Sequence, residues 1–131
     1  MSSTLKKEKF LVIGSNSFSG SHFVNCLLNN DYKVWGISRS KQPNKVFLPY
    51  FWENQNGTLL KEKCENFIFK SLDLNKDNNL IINLIDEIEP EYIVNFAAQG
   101  MVAESWRNPV HWYKTNIISQ VSLHDQLRQK S

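Results

Sequence analysis

An apolar segment near the start of this chain runs directly into a glycine- and serine-containing turn, which leads into an amphipathic helix. Residues 10–13 form a short unbroken apolar run, typical of a parallel strand covered on both faces. The turn between Gly14 and Gly20 is built mostly from small residues. Unpaired N–H groups and the positive end of the helix dipole meet at such a turn, so the junction predicts a place where a phosphate contacts the main chain.

Strands and helices alternate along the rest of the chain. Further strands are predicted at 33–38, 67–69 and 92–98, and a helix at about 77–89, whose buried face is expected to consist of Leu80, Leu84, Ile85 and Ile88. Pro109 is placed to begin a last helix, along one side of which lie Tyr113, Ile117, Val121, His124 and Leu127. Segments 41–65 and 99–108 are predicted as irregular connections. This alternation predicts a parallel α/β sheet.

Length and charge narrow the function classes. The 131 residues suit one compact domain, and a net charge of +2 with scattered lysines argues against a nucleic-acid surface. No apolar run approaches a membrane span and residues 1–9 lack a secretion signal, so a cytoplasmic location is expected. Cys26 and Cys64 stand outside any metal-binding or redox spacing. We expect no metal site, and two buried or half-buried thiols.

The turn departs from the usual dinucleotide fingerprint at one position. That fingerprint needs a glycine for the tight turn, a second where backbone meets pyrophosphate and a third where helix packs on strand. Gly14 and Gly20 take the first and third roles, whereas Ser17 stands at the second. Its Cβ narrows the approach, although its hydroxyl could donate to a phosphate oxygen. A plain strand-to-helix turn fits the two glycines equally well.

The end of the second strand bears on the choice of nucleotide. An acidic side chain there would accept hydrogen bonds from adenosine ribose hydroxyls, and an arginine could instead bind a 2′-phosphate. The sequence is Ser38-Arg39-Ser40, without a carboxylate. Arg39 therefore favours NADP over NAD, the alternative being a solvated arginine at the start of a loop. His111 and His124 have no evident partners and are assigned no role.

Four separate segments together resemble a known family. They are the loop Gly14-x-x-Ser17-Phe18-Ser19-Gly20-Ser21-His22, the segment Ser71-Leu72-Asp73-Leu74, the strand end Phe96-Ala97-Ala98, and Val102-x-Glu104-Ser105-x-x-x-Pro109-x-x-x-Tyr113-x-x-Asn116. In this order they resemble the N-terminal half of the extended short-chain dehydrogenases/reductases, the nucleotide-sugar epimerases and 4,6-dehydratases. Ser38-Arg39-Ser40 is similar to the GDP-mannose 4,6-dehydratase branch and Val102-x-Glu104-Ser105 to the UDP-galactose 4-epimerase branch, so the branch stays open.

The resemblance implies a fold and a set of cofactor-binding residues. The fold would be a Rossmann-like parallel sheet of about four strands in the order 3-2-1-4 with flanking helices, an incomplete doubly wound domain. The residues expected at an NAD(P) cofactor are Gly14, Asn16, Ser17, Phe18, Ser19, Gly20, Arg39, Asp73, Leu74, Phe96, Ala97, Ala98 and Asn116. Asn116 could alternatively brace a neighbouring loop.

The resemblance also implies what residues 1–131 lack. The family's fifth strand, its Tyr-x-x-x-Lys pair and its substrate-binding region would follow Ser131, and Tyr50, Tyr92 and Tyr113 have no lysine four residues later. We therefore expect an NAD(P)-binding segment without catalytic residues, inactive alone, whose intact relative acts on a nucleotide sugar. Homodimerisation is a further expectation. The alternatives are a stand-alone NADP-sensing module and an assembly module.

Overall fold

A four-stranded parallel sheet forms the centre of the molecule. The computed structural model describes residues 6–52 and 60–130. Its strands are β1 (Lys9–Ile13), β2 (Lys33–Ser38), β3 (Phe67–Ser71) and β4 (Tyr92–Asn95), and its α-helices are α1 (Phe18–Asn29), α2 (Leu60–Glu65), α3 (Asn78–Ile88), α4 (Val102–Arg107), α5 (Pro109–Tyr113) and α6 (Ser119–Lys130). The strand order β3-β2-β1-β4 confirms the fold predicted from the sequence.

The strand register brings three strand ends together at one edge of the sheet. The last residue of β1, Ile13, pairs with Ile37 on one side and with Asn95 on the other. From β1 the chain passes outward to β2 and β3, and it then crosses back to β4 on the other side of β1. The strand order therefore reverses next to β1. In open α/β sheets ligands bind at this switch point, outside the carboxyl ends of the strands.

Both faces of the sheet are covered, as the apolar run of β1 predicted. Leu11 and Ile13 pack with the buried face of α3 in one core cluster, whereas Val12 packs with residues of α1 in a second cluster. All three side chains are almost completely buried. Full burial of such aliphatic side chains stabilises a fold by roughly 1.5–3 kcal/mol each, so β1 is firmly anchored between two helical layers.

One prediction of a buried helix face needs correction. In α3 the buried residue of the first turn is Ile81, whereas Leu80 is 54% exposed. In the last helix Tyr113, Ile117 and Val121, which the sequence places along one side, are exposed. Leu127 of the same side is partly buried and packs against the α3-side core, to which Leu123 also belongs.

The predicted loops contain short helices, and the predicted fourth strand is too long. Segment 41–65 includes two 3₁₀ turns, Lys45–Phe47 and Pro49–Phe51, as well as α2, and segment 99–108 includes α4. β4 ends at Asn95 because its side-chain oxygen accepts a hydrogen bond from the Ala97 N–H at 2.8 Å, a local turn that diverts the backbone.

The last helical region and the cysteines also depart from simple expectation. α5 continues through a π-helical segment, Lys114–Ile118, into α6. Both thiols, Cys26 and Cys64, lie on exposed residues, so the expectation of buried or half-buried cysteines was wrong. Among the described residues, no helix is both long and apolar enough to cross a bilayer.

Candidate functional site

A cleft of about 290 Å³ opens at the carboxyl ends of the strands. Most of the residues predicted at a cofactor line it together: Gly14, Asn16, Ser17, Arg39, Asp73, Leu74, Phe96, Ala97 and Ala98. Phe18, Ser19, Gly20 and Asn116 are not among its lining residues. Segments that are separated by up to about eighty positions in the sequence thus meet at the switch point of the sheet.

Gly14 and Gly20 are required by close backbone approach. Gly14 has a φ of +81°, and a Cβ there would lie 2.7 Å from the main-chain N of Ala97. A Cβ on Gly20 would lie 2.1 Å from the carbonyl oxygen of Gly14. Gly14 therefore lets the turn lie against the segment that follows β4, and Gly20 lets the start of α1 lie against the turn.

The hydroxyl of Ser17 is used within the turn. Its Oγ accepts a hydrogen bond from the Gly20 N–H at 3.0 Å, which makes Ser17 the N-cap of α1, and it donates to the carbonyl oxygen of Gly14 at 2.8 Å. A serine hydroxyl carries one proton. The structure therefore gives Ser17 a capping role, with its proton donated to Gly14.

Main-chain donors remain free at the start of α1. Neither the Phe18 nor the Ser19 N–H has a hydrogen-bond acceptor among the described residues, since the first bond into the helix is the one that the Ser21 N–H donates to the Ser17 carbonyl. The side chains of Phe18 and Ser19 are exposed, and the Phe18 ring lies 4.6 Å from the His22 ring. These two residues thus offer their amides at a helix N-terminus, next to Ser17, which lines the cleft.

Asn16 contributes a buried acceptor. Its amide nitrogen donates to the carbonyl oxygens of Ser40 and Lys41, both at 3.1 Å, and its main-chain N–H donates to the Ser38 hydroxyl at 3.0 Å. Its Oδ1 is buried and has no hydrogen-bond partner in the described part of the chain. A buried acceptor without a partner is costly.

Arg39 lies at the mouth of the cleft with its charge uncompensated. No carboxylate of residues 6–52 or 60–130 forms an ion pair with its guanidinium. The Nη1 atom lies 3.3 Å from Nε2 of His111, which comes from α5. His111 was assigned no role from the sequence, because the two residues are 72 positions apart. A cation without a carboxylate partner is suited to bind a phosphate.

Asp73 and Leu74 shape the wall that follows β3. The Asp73 carboxylate accepts from the Asn75 N–H at 2.8 Å and so holds a tight turn. Leu74 belongs to the α3-side core, and only 8% of its surface is exposed. Asn75 donates to the Thr115 hydroxyl at 2.8 Å, which fastens this wall to the π-helical segment.

The loop after β4 is held from the last helical region. Asn116 accepts from the Gln99 N–H at 2.7 Å and donates to the Gln99 carbonyl at 2.9 Å. Gln120 donates to the Ala97 carbonyl at 3.0 Å. Asn116 therefore braces the loop that lines the cleft, which is the alternative that the sequence left open, and it takes no direct part in the lining.

The chain matches a known family over nearly its whole length. The family model described as GDP-mannose 4,6 dehydratase matches residues 11–131. The chain belongs to this family. Within the described residues, no group of three or more His, Cys, Asp or Glu side chains is arranged to hold a metal ion.

Curated relatives include members with both activities. A GDP-mannose 4,6-dehydratase of Yersinia enterocolitica is 29% identical over 122 residues, covering 92% of this chain and 31% of that protein. A UDP-glucose 4-epimerase of Pisum sativum is also 29% identical, over 119 residues, covering 90% of this chain and 32% of that protein. The chain thus spans about a third of the length of these relatives.

The fold is shared with a solved structure. The UDP-glucose-4-epimerase from Stenotrophomonas maltophila, solved with bound NAD and formylated UDP-arabinopyranose, superposes with a TM-score of 0.72 at 18% identity, over 92% of this chain and 33% of that one. At this identity the likeness shows the fold alone. It places the family's parallel sheet and its order of elements in this chain.

Sequence reasoning missed several lining residues. The lining also includes Gln99, Asn75 and Thr115, which no motif marked. In addition, the Ser38 hydroxyl accepts a hydrogen bond from the main-chain N–H of Asn16. Their positions immediately after strands β3 and β4 were the available signal for Asn75 and Gln99, because residues at carboxyl ends meet at one edge of the sheet. Thr115 carried no such signal, since its place depends on how the π-helical segment packs.

Proposed function

We propose that this chain binds a nicotinamide dinucleotide as the N-terminal part of a nucleotide-sugar epimerase or 4,6-dehydratase. The observation that carries the proposal is the turn between Gly14 and Gly20, in which both glycines closely approach main-chain atoms. Next to it, the Phe18 and Ser19 N–H groups have no acceptor among the described residues, and the turn lies at the switch point of a parallel sheet. Such a turn suits a pyrophosphate, because its donors are fixed before the anion arrives.

The residues present fit that cofactor. The Phe18 and Ser19 amides would hold the pyrophosphate, and the buried Oδ1 of Asn16 would accept from a ribose hydroxyl. The aliphatic surface of Leu74 and the turn at Asp73 would flank the adenine. When bound, the nicotinamide supplies the acceptor or donor of a hydride. Phe96, Ala97 and Ala98 would bound the same cleft on the β4 side.

This chain would contribute cofactor binding and no catalytic side chain. We place the acid–base residues and the nucleotide-sugar site in the part of the whole protein that the chain does not span, since it spans about a third of its relatives. Residues 1–131 are then a partial NAD(P)-binding domain, and hydride transfer requires the remainder. The relatives named above include both a dehydratase and an epimerase, and both activities remain within the proposal.

Arg39 is the residue that would favour NADP. Its guanidinium lines the cleft and lacks a carboxylate partner among the described residues. His111 contacts it through Nε2 and so limits where it can point. A 2′-phosphate at this end of the cleft would receive charge-assisted hydrogen bonds, whereas the 2′-hydroxyl of NAD would receive little from a cation.

Dinucleotide titration tests the proposal. NADPH and NADH are titrated into the chain by calorimetry, with the Arg39→Ala variant and an Arg107→Ala control whose residue is exposed on α4 outside the cleft. We expect saturable binding of both, and about tenfold or greater weakening of NADPH alone in the Arg39 variant. Absence of saturable binding contradicts the proposed function, and equal weakening of both ligands contradicts the NADP preference.

An assembly module is the second candidate, and one surface favours it. Apolar side chains of α4 and α5 are strongly exposed, among them Trp106 at 83%, Val110 at 78% and Val102 at 73%. A groove of about 640 Å³ runs beside them. Apolar surface of this kind usually marks a contact with another protein, and a homodimer would cover it. Sedimentation of the chain at several concentrations tests this candidate: a Trp106→Ser variant is expected to remain monomeric where the parent chain associates.

A further inference from the structure

A second pocket lies away from the dinucleotide cleft and contains a buried lysine. The pocket has a volume of about 200 Å³ and shares no lining residue with the cleft at the strand ends. Its lysine, Lys63 of α2, is only 2% exposed. Lysines are almost never fully buried unless they are paired, so the surroundings of this ammonium need a physical explanation.

The described surroundings leave the Lys63 charge uncompensated. Its Nζ donates one hydrogen bond, to the side-chain oxygen of Asn25 at 3.0 Å, and no carboxylate of the described residues forms an ion pair with it. An ammonium has three donors, and a neutral amide satisfies one without balancing the charge. Burial lowers the pKa of Lys63, the effect expected of an ammonium without a counter-ion. An anion in the pocket would supply the counter-charge that the described residues lack.

A second polar group faces the same pocket. Tyr50 is 1% exposed, and its hydroxyl oxygen accepts from the Gln42 amide at 2.9 Å. No acceptor for its hydroxyl proton lies within the described part of the chain. Burial raises the pKa of Tyr50 to about 12, so the phenol stays protonated and can donate.

Cys64 and three aromatic rings complete the lining. The rings of Phe51, Phe67 and Phe69 line the pocket, and the Tyr50 ring lies 4.7 Å from that of Phe67 and 4.9 Å from that of Phe51. Flat apolar groups pack well against such rings. Its volume of about 200 Å³ is smaller than that of the cleft at the strand ends and leaves room for a small molecule.

We propose that this pocket binds a small monocarboxylate that carries a flat apolar ring, with its carboxylate paired to Lys63 and to the Tyr50 hydroxyl and its ring against the three phenylalanines. The site is independent of the dinucleotide cleft. Charge and shape both contribute, because the cation and phenol select an anion and the aromatic walls select a ring.

Benzoate is the probe, and benzyl alcohol is its neutral counterpart of similar shape. Both are titrated by calorimetry into the chain and into Lys63→Met, which keeps the length of the stem and removes the charge. We expect saturable benzoate binding at least about tenfold tighter than that of benzyl alcohol, and loss of this difference in Lys63→Met. Lys70→Met, on an exposed residue of β3, serves as the charge-matched control and should bind benzoate as the parent does.

Two further variants keep the test decisive. Arg39→Ala should retain benzoate binding, because Arg39 lines the other cleft. If thermal unfolding shows that Lys63→Met does not fold, Tyr50→Phe replaces it and should weaken benzoate several-fold without weakening benzyl alcohol. The proposal is overturned if benzoate does not bind saturably, if the folded Lys63→Met or Tyr50→Phe variant binds it as tightly as the parent, or if Arg39→Ala abolishes binding.

Discussion

Replacing Gly14 with alanine tests whether the turn is as tightly built as its geometry indicates. The new Cβ would lie 2.7 Å from the Ala97 nitrogen and 2.8 Å from the Phe96 carbonyl carbon. Both neighbours are main-chain atoms at the end of β4, so no side-chain rotation relieves the contact. The φ of +81° adds the strain of a left-handed conformation for an L-residue.

The expected loss of stability follows from these two causes. The left-handed conformation costs about 1–3 kcal/mol, and overpacking against fixed atoms costs about 1–3 kcal/mol more. A loss of about 2–6 kcal/mol is a large share of the roughly 5–15 kcal/mol that stabilises a domain. For a chain of 131 residues this lowers the melting temperature by on the order of 10 °C.

Thermal unfolding followed by circular dichroism measures the effect of Gly14→Ala against a matched control. Gly100→Ala places a Cβ with no atom within 4 Å, and we expect its free energy of unfolding to change by at most about 0.5 kcal/mol. If Gly14→Ala melts within about 2 °C of the parent chain, the close approach between the turn and β4 is wrong. Comparable losses in the two variants would contradict the reasoning as well.

Substitutions at three further positions test individual contacts. Ser17→Ala should lower the free energy of unfolding by about 1 kcal/mol because the N-cap is lost, whereas Ser17→Gly should cost only a few tenths and bind NADPH at least as tightly; urea unfolding and calorimetry measure the two effects, and equal costs would argue against the cap. The Lys9 N–H donates to the Glu91 carboxylate at 2.5 Å and lowers its pKa. The stability that this bond contributes is therefore present above the unfolded-state pKa of about 4.3 and lost as the pH falls through the lower folded-state pKa. Glu91→Gln should flatten the fall in stability over that acid range in urea titrations, and an unchanged pH profile would contradict the assignment. Asn116→Ala removes both hydrogen bonds to Gln99, so hydrogen exchange of the Gln99 amide should accelerate about tenfold or more, and an unchanged rate would refute the bracing role.

The sheet was predictable because its central strand β1 is an apolar run that is covered on both faces. Residues 10–13 form that run, and Gly14 and Gly20 mark the turn that joins it to α1. The short α4 escaped prediction because its apolar residues are exposed: Val102 and Trp106 do not mark a core face. The exposure of Leu80 was not predictable either, because helical spacing alone does not show whether Leu80 or Ile81 faces the core.

The candidate site was predictable in its membership and less so in its roles. Strand ends meet at one edge, so motifs placed there predicted the lining around Gly14, Arg39 and Asp73. The role of Ser17 depended on where its single proton is donated, which only the geometry of the turn reveals. The buried Oδ1 of Asn16 and the pocket around Lys63 arise from packing between distant segments and leave no periodic signal.

Nitrogen-15 NMR of the backbone amides during titration with NADPH measures whether the turn at the start of α1 binds the pyrophosphate. The largest shifts are expected at the Phe18 and Ser19 amides, which have no acceptor among the described residues, with further shifts around Asn16 and Arg39. Saturable binding that leaves these amides unmoved, or shifts confined to other regions such as α2 or α6, would contradict it.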